Sequence, residues 1–208
     1  MLKGKIIVFE GPEGSGKTTQ ANRVFKFLKN KYKKVIFLRE PGGVKISEDI
    51  RKIILNPKNK KMCALTELLL YEAARAQLVC EKINLLLKKG YIILMDRFYL
   101  ATTVYQGYGR GIKKQIINYL NKLVTNNIKP DLTIIYDVSR KEALKRMKTR
   151  KKMDRIEQEN DGFHEKIRKG YLNEGKLIKA KIIRTDGKNT DDVFKETKEI
   201  LQKVILWQ

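Results

Sequence analysis

The stretch Gly11-Pro12-Glu13-Gly14-Ser15-Gly16-Lys17-Thr18 follows the pattern G-x-x-x-x-G-K-[ST]. The apolar run at residues 5–9 before it predicts a short buried strand, and the mixed apolar and polar run at residues 19–32 after it predicts a helix. A strand, a glycine-rich loop and a helix in this order form the context in which the pattern binds phosphate. Backbone N–H groups of such a loop surround the β- and γ-phosphates, and the helix N-terminus adds partial positive charge. The stretch therefore predicts a site for a nucleoside triphosphate.

The residue types within the loop suit this chemistry. Gly14 and Gly16 have no Cβ to obstruct the phosphates. Lys17 supplies a full positive charge, and the Thr18 hydroxyl is placed to ligate Mg²⁺. The predicted triphosphate-binding residues are Gly11, Pro12, Glu13, Gly14, Ser15, Gly16, Lys17, Thr18 and Thr19.

Length and composition favour one α/β domain spanning residues 1–208. A chain of 208 residues with 42% hydrophobic residues can bury one sizeable core, and no repeat or linker divides it. No stretch resembles a signal peptide or a membrane span. Cys63 and Cys80 are too few for a disulfide framework or a metal site. These features predict a cytosolic, cytoplasmic protein without a membrane partner.

The net charge of +23 raises a nucleic-acid hypothesis, because clustered Lys and Arg release counterions from a phosphate backbone. Most of the 46 basic residues are Lys, however, and they are spread from Lys3 to Lys203. This distribution favours solvated charged faces over a dedicated nucleic-acid surface. A diffuse positive field would still attract polyanionic nucleotides.

Apolar runs alternate with helical periodicities along the chain. Strands are predicted at residues 5–9, 35–38, 91–95, 132–136 and 182–184. Helices are predicted at residues 19–32, 47–55, 65–89, 113–125, 140–148, 158 to about 178, and about 191–205. Strands separated by helices pair in parallel, so we expect a three-layer α/β fold with a five-stranded parallel sheet and helices on both faces. Ligands bind beyond the carboxyl ends of such strands, where residues 10–18, 39–43, 96–106 and 137–155 fall.

Two pairs of side chains near that edge are candidates for the site. Asp96 closes an apolar run, where its carboxylate can organise Mg²⁺ or accept from a phosphate acceptor, and Arg97 beside it suits a bidentate phosphate contact. A surface ion pair between these neighbours is the alternative. Tyr105 and Gln106 offer a flat ring for a sugar and an amide for a base edge, although core packing explains Tyr105 equally well.

Tyr71 and Arg75 are four residues apart in a predicted helix and therefore share a face. A ring that stacks on a base and a guanidinium that donates to its exocyclic oxygen would use this spacing. The residues alone favour the alternative, in which Tyr71 is core and Arg75 pairs with Glu72 or Glu67.

A dense basic segment follows the fourth predicted strand and a short helix. Its members are Arg146, Lys148, Arg150, Lys151, Lys152 and Arg155. Phosphoryl transfer needs two nucleotides held in line and charge neutralised on the transferring group. A mobile basic flap (LID) at about residues 146–157 would do both and exclude water. A basic helix face in water is the alternative.

Four motifs together resemble those of bacterial thymidylate kinases, which belong to the P-loop nucleoside monophosphate kinases. They are FEGPEGSGKT at residues 9–18, REPGG at 39–43, DR at 96–97 with YQG at 105–107, and DRIE at 154–157. The motifs fall in order from Phe9 to about Tyr171, so the resemblance covers nearly the whole chain. It implies a P-loop NTPase fold, ATP as phosphoryl donor with Mg²⁺, and transfer of the γ-phosphate to dTMP in dTTP biosynthesis. It also implies a homodimer, for which the 65–89 helix could supply the interface, although the apolar stripe of this helix could equally be buried within one chain.

The resemblance also implies residue roles at the acceptor nucleotide. Tyr71 would stack on thymine, Arg75 would donate to O4, and Gln106 with Thr102 would contact the base edge around N3. Tyr105 would pack against the deoxyribose. The residues implied around the sugar, the acceptor phosphate and the metal are Glu13, Arg39, Glu40, Arg51, Asp96 and Arg97.

The loop also indicates where the catalytic cation lies. Some members of the resembled family carry an Arg inside the glycine loop, but Pro12, Glu13, Gly14 and Ser15 include no cation here. We therefore expect Arg150, helped by Arg146 or Arg155, to supply the transition-state cation, with Arg146 also binding ATP. The predicted catalytic residues are Lys17, Asp96, Arg97, Arg150 and Arg155. A kinase for another monophosphate such as dUMP, or a nucleic-acid-binding P-loop protein, is the alternative.

Overall fold

The computed structural model describes residues 4–148 and 153–205. Its five strands form one parallel sheet in the order β2-β3-β1-β4-β5. The strands are β1 Lys5–Glu10, β2 Val35–Arg39, β3 Ile92–Asp96, β4 Leu132–Asp137 and β5 Lys181–Arg184. This is the sheet that the alternation of apolar runs predicts.

Helices connect the strands and cover the sheet. They are α1 Lys17–Lys29, α2 Lys45–Leu55, α3 Ala64–Leu78, α4 Asn84–Lys88, α5 Tyr99–Thr102, α6 Lys114–Thr125, α7 Arg140–Met147, α8 Asp161–Leu177 and α9 Thr190–Ile205. Two π-helical segments, Val79–Ile83 and Thr103–Gly109, follow α3 and α5 directly. Within the described ranges, no helix is both long and apolar enough to span a bilayer.

The central strand β1 has apolar residues on both faces, as a parallel sheet covered on two sides requires. Ile7 and Phe9 pack on one side with Val24 of α1. Ile6 packs on the other side with Leu78 of α3. Both clusters are nearly inaccessible to solvent, so hydrophobic burial holds a helical layer on each face of the sheet.

The sheet register brings polar residues to one edge. Phe9 pairs with Asp96, Asp96 with Arg39, and Glu10 with Ile135. Since all strands run in the same direction, the chain segments after β1, β2, β3 and β4 leave the sheet together. The predicted ligand edge is therefore a single surface region.

Several helices differ from the sequence prediction in their bounds or type: α1 is Lys17–Lys29 instead of residues 19–32, and α2 begins at Lys45 instead of residue 47. The helix predicted at 65–89 is continuous in extent, but its middle widens into the π-helical segment Val79–Ile83. Helix α8 begins at Asp161 rather than at residue 158, because the Asn160 side chain caps it by accepting from the Phe163 N–H at 2.9 Å. Tyr105 and Gln106 lie on the second π-helical segment, Thr103–Gly109.

Candidate active site

The glycine loop joins β1 to the N-terminus of α1. Gly14 and Gly16 adopt φ angles of 75° and 84°, which side-chain-bearing residues rarely adopt. A Cβ on Gly11 would lie 2.4 Å from the Tyr136 carbonyl oxygen. The loop thus follows its curved path because glycine stands at these positions, and its N–H groups lie where α1 begins.

Two oxygen-bearing side chains meet at the start of α1. The Thr18 hydroxyl donates to the Asp96 carboxylate, which closes β3. Residues 4–148 and 153–205 contain no group of three or more His, Cys, Asp or Glu side chains placed to bind a metal ion together. A hydroxyl and one carboxylate fit Mg²⁺, which usually takes its other ligands from water and substrate phosphates. Lys17 lies beside them, and burial together with nearby Arg97 lowers the pKa of its ammonium group.

Arg97 stands at the centre of the site. Its φ of 70° places a non-glycine residue in the left-handed region, directly after β3. The guanidinium donates to Glu13 at 2.7 Å, to the Tyr105 hydroxyl at 2.9 Å and to the Tyr171 hydroxyl at 2.6 Å. Tyr171 in turn donates to the buried carboxylate of Glu10 at 2.9 Å. These contacts hold the Arg97 guanidinium between Glu13 of the glycine loop and the two tyrosine hydroxyls.

One cavity of about 180 Å³ extends from Lys17 and Thr18 to Tyr71 and Gln106. Thirteen predicted site residues line it: Glu13, Lys17, Thr18, Arg39, Glu40, Arg51, Tyr71, Arg75, Asp96, Arg97, Thr102, Tyr105 and Gln106. The surface ion-pair alternative for Asp96 and Arg97 is wrong, since Asp96 binds Thr18 and Arg97 binds Glu13.

Arg75 is the most constrained side chain of the cavity. It is buried and donates to Glu40 at 2.7 Å and to Glu72 at 3.0 Å. Further donor contacts reach Asn121 and the Thr102 hydroxyl. The alternative of a pair with Glu72 is thus correct, although the side chain still lines the cavity; the pair with Glu67 does not form.

Two more arginines line the cavity. Arg39 is the last residue of β2 and pairs with Glu48 at 2.9 Å. Arg51 on α2 donates to the Pro41 carbonyl oxygen at 2.9 Å. Both carry exposed or half-buried guanidinium groups at the cavity wall, where an incoming anion can reach them.

Comparison with known proteins agrees with this geometry. A family model described as thymidylate kinase matches residues 9–197. The chain belongs to the thymidylate kinase family. It is 42% identical over 199 residues to a thymidylate kinase of Geobacillus sp. (strain WCH70), covering 94% of this chain and 95% of that one. It is 40% identical over 203 residues to a thymidylate kinase of Thermoanaerobacter sp. (strain X514), covering 98% of each.

A solved structure supports the same assignment. The crystal structure of thymidylate kinase from Ehrlichia chaffeensis matches with a TM-score of 0.78 and 31% identity, over 96% of this chain and 99% of that one. The thymidylate kinase resemblance and the P-loop α/β fold predicted from the sequence are therefore confirmed.

Only part of the predicted flap at about residues 146–157 lies within the described residues. Arg146 on α7 donates to the Gly14 carbonyl oxygen at 3.3 Å and to the Thr185 carbonyl oxygen at 2.8 Å, beside the glycine loop. Arg150, with Lys151 and Lys152, lies outside the described residues.

Arg155 requires a correction. It does not line the cavity but is buried, donating to Glu67 at 2.6 Å and to the Ile54 carbonyl oxygen at 2.8 Å. Because Glu67 holds this guanidinium in the protein interior, the structure gives no support to the predicted catalytic role of Arg155.

Three side chains that contact the predicted site residues or one another were not among the residues predicted for the site. Glu10 had a usable signal, because it ends the strand that leads into the glycine loop. Glu67 lies four residues before Tyr71, a spacing that places both on the same face of α3. Tyr171 had no local signal, since it lies 161 residues from its partner Glu10.

Proposed function

We propose that this thymidylate kinase family member transfers the γ-phosphate of ATP to dTMP by direct in-line attack, with the residue roles set out below. The reaction gives dTDP and ADP and serves dTTP synthesis. The observation that carries the proposal is the continuous cavity from Lys17 and Thr18 to Tyr71 and Gln106. Such a cavity places two nucleotides end to end, which is the main requirement of phosphoryl transfer.

The donor side uses the glycine loop. Its backbone N–H groups and Lys17 bind the β- and γ-phosphates of ATP. Arg146 lies between Gly14 and Thr185, where its planar guanidinium can contact the rest of the donor nucleotide. Thr18 and Asp96 would hold Mg²⁺, which neutralises charge on the donor phosphates when bound.

The acceptor phosphate lies among three arginines. Arg39 and Arg51 bind it from the β2 side, and Arg97 from the β3 side. Glu13 and Glu40 lie toward the sugar and this phosphate, and Tyr105 packs against the deoxyribose. A monophosphate can then replace the carboxylate and carbonyl partners that the arginines have in this structure.

The base end recognises a pyrimidine. Tyr71 is half-buried in the cavity wall and stacks on the ring, while Arg75 donates to the exocyclic O4. Thr102 and Gln106 contact the edge around N3. Since Arg75 is already held by Glu40 and Glu72, it meets the base in a fixed orientation.

The flap supplies the transition-state cation. Arg146 and Arg155 both have protein partners, which hold these two residues on either side of Arg150 in the sequence. Arg150 lies between them in sequence, and closure of the flap brings its charge to the transferring phosphoryl group.

The enzyme acts as a cytoplasmic homodimer in this proposal. Leu65 and Leu69 on α3 are 55% and 50% exposed, and Tyr119 and Leu123 on the adjacent α6 are 66% and 58% exposed. Large apolar side chains that are exposed together indicate a surface that a second copy of the chain covers. Light scattering coupled to size exclusion should give twice the chain mass, and Leu69→Glu should shift it toward the monomer.

A coupled assay of ADP release with dTMP, dUMP, dCMP, dGMP and AMP tests the activity. We expect dTMP to be preferred and dUMP to be used less well, because the thymine methyl in an apolar pocket contributes about 1–3 kcal/mol. Absence of dTMP-dependent ADP release, or preference for a purine monophosphate, would refute the proposed function.

A further inference from the structure

Glu67 connects the base end of the cavity to the flap. The carboxylate is almost fully buried, at 1% exposure. Its Oε1 accepts from the Gln106 side-chain amide at 2.9 Å and from Arg110 Nε at 3.0 Å. Its Oε2 accepts from Arg110 at 2.9 Å and from Arg155 at 2.6 Å. One side chain therefore contacts a cavity-lining amide and two arginines.

The two arginines keep Glu67 ionised. Although burial opposes ionisation, hydrogen bonds from Arg110, Gln106 and Arg155 hold the pKa of the Glu67 carboxyl below its usual value. An ionised carboxylate only accepts hydrogen bonds. The Gln106 amide must therefore turn its NH₂ group toward Glu67.

This orientation determines what Gln106 offers to the cavity. One N–H of the NH₂ group is donated to Glu67, which fixes the amide plane and leaves the carbonyl Oε1 on the other arm, where residues 4–148 and 153–205 provide no hydrogen-bond partner. An acceptor in that position pairs with a ring N–H, which thymine and uracil carry at N3. Cytosine has an unprotonated N3, and two acceptors facing each other leave both without a partner.

We infer that Glu67 is a positioning residue that sets base selectivity, by fixing the Gln106 amide with its carbonyl toward the acceptor base. The inference rests on the proposed function, because it concerns the same acceptor site. Glu67 does not itself line the cavity and acts only through Gln106. A neutral amide at position 67 could donate as well as accept, so Gln106 could then turn over and present NH₂ to cytosine N3.

The test compares kcat/KM for dTMP and dCMP in the wild-type protein and in Glu67→Gln. We expect the dTMP-to-dCMP ratio to fall about 10-fold or more, partly through a gain with dCMP. Glu81→Gln is the matched control, because Glu81 is exposed and bonded only to Gln77 among the described residues. It should leave the ratio unchanged.

Two further measurements separate positioning from a general structural effect. In a Gln106→Ala background, Glu67→Gln should no longer change the ratio, because the amide through which it acts is absent. If Glu67→Gln shows no cooperative thermal transition, Glu67→Asp replaces it, since the shorter carboxylate keeps its charge but withdraws from Gln106. It should lower the same ratio.

An unchanged ratio in a folded Glu67→Gln or Glu67→Asp variant would overturn the inference, as would a full effect in the Gln106→Ala background. A wild-type protein that fails to phosphorylate dTMP would instead refute the proposed function. The two failures are therefore distinguishable.

Discussion

The Arg97 guanidinium and the Glu13 carboxylate lie 2.7 Å apart and join the acceptor side of the site to the glycine loop. Glu13 also accepts from the Tyr105 hydroxyl at 2.6 Å. The Glu13 carboxylate of the glycine loop therefore neutralises and orients the Arg97 guanidinium. The Arg97 side chain is 15% exposed and the Glu13 side chain 11% exposed, so solvent screens the charges of the pair only weakly.

Glu13→Gln should weaken acceptor binding. The substitution keeps an acceptor oxygen but removes the negative charge that Arg97 and Tyr105 share, so both hydrogen bonds weaken and the KM for dTMP should rise about 10-fold. Initial rates at saturating ATP measure this change. Glu199→Gln, on an exposed face of α9, is the control and should match the wild type. An unaltered KM in Glu13→Gln would contradict the orienting role.

The same variant should change the response of stability to acid. Burial opposes the ionisation of Glu13, but Arg97, Lys17 and the Tyr105 hydroxyl lower its pKa to about 2. A carboxyl with a depressed pKa in the folded state stabilises the fold above its unfolded value of 4.5, and this contribution is lost as the pH falls from 4.5 toward 2. The wild-type advantage over Glu13→Gln should therefore shrink by up to about 3 kcal/mol across that interval.

Denaturant unfolding of both proteins at several pH values between 7 and 2.5 measures this advantage. A difference in unfolding free energy that stays constant with pH would show that Glu13 titrates normally.

Asp96→Asn and Thr18→Val should alter the dependence on Mg²⁺. Each removes an oxygen of the hydroxyl–carboxylate pair, so the Mg²⁺ concentration for half-maximal rate should rise and kcat should fall about 100-fold. Asp192→Asn, exposed at the start of α9, should retain the wild-type Mg²⁺ curve. A wild-type curve for both site variants would exclude this pair as the metal site.

Arg150→Ala should impair catalysis, whereas Arg155→Ala should impair stability. Arg150→Ala should lower kcat about 1,000-fold with dTMP affinity nearly unchanged, because the cation acts on the transition state. Arg155→Ala removes one of the two arginines that pair with the buried Glu67 carboxylate. The unfolding free energy of this variant should therefore be about 3 kcal/mol lower than that of the wild type.

Kinetics and thermal unfolding of the same preparations separate the two effects. Lys145→Ala is the control, because Lys145 is an exposed residue of α7, and it should match the wild type in both measurements. Retention of kcat in Arg150→Ala would place the catalytic cation elsewhere.

The sequence by itself determined the fold and most of the residues that line the cavity. Apolar runs and the 3.6-residue period of helices are local properties, so the five strands and most helices could be predicted from short windows. The glycine loop was equally local, since its φ angles depend on glycine at Gly14 and Gly16. Thirteen predicted residues line one cavity because the parallel register brings the strand ends together.

Only the tertiary structure decided which side chains share a partner. Arg155 belongs to a basic segment that predicts phosphate contacts, yet its guanidinium bonds to the Ile54 carbonyl oxygen on α2 and to Glu67 on α3. Glu10 and Tyr171 meet across 161 residues. Such pairings depend on how helices pack against the sheet, and a buried charge takes whichever partner that packing brings within hydrogen-bonding distance.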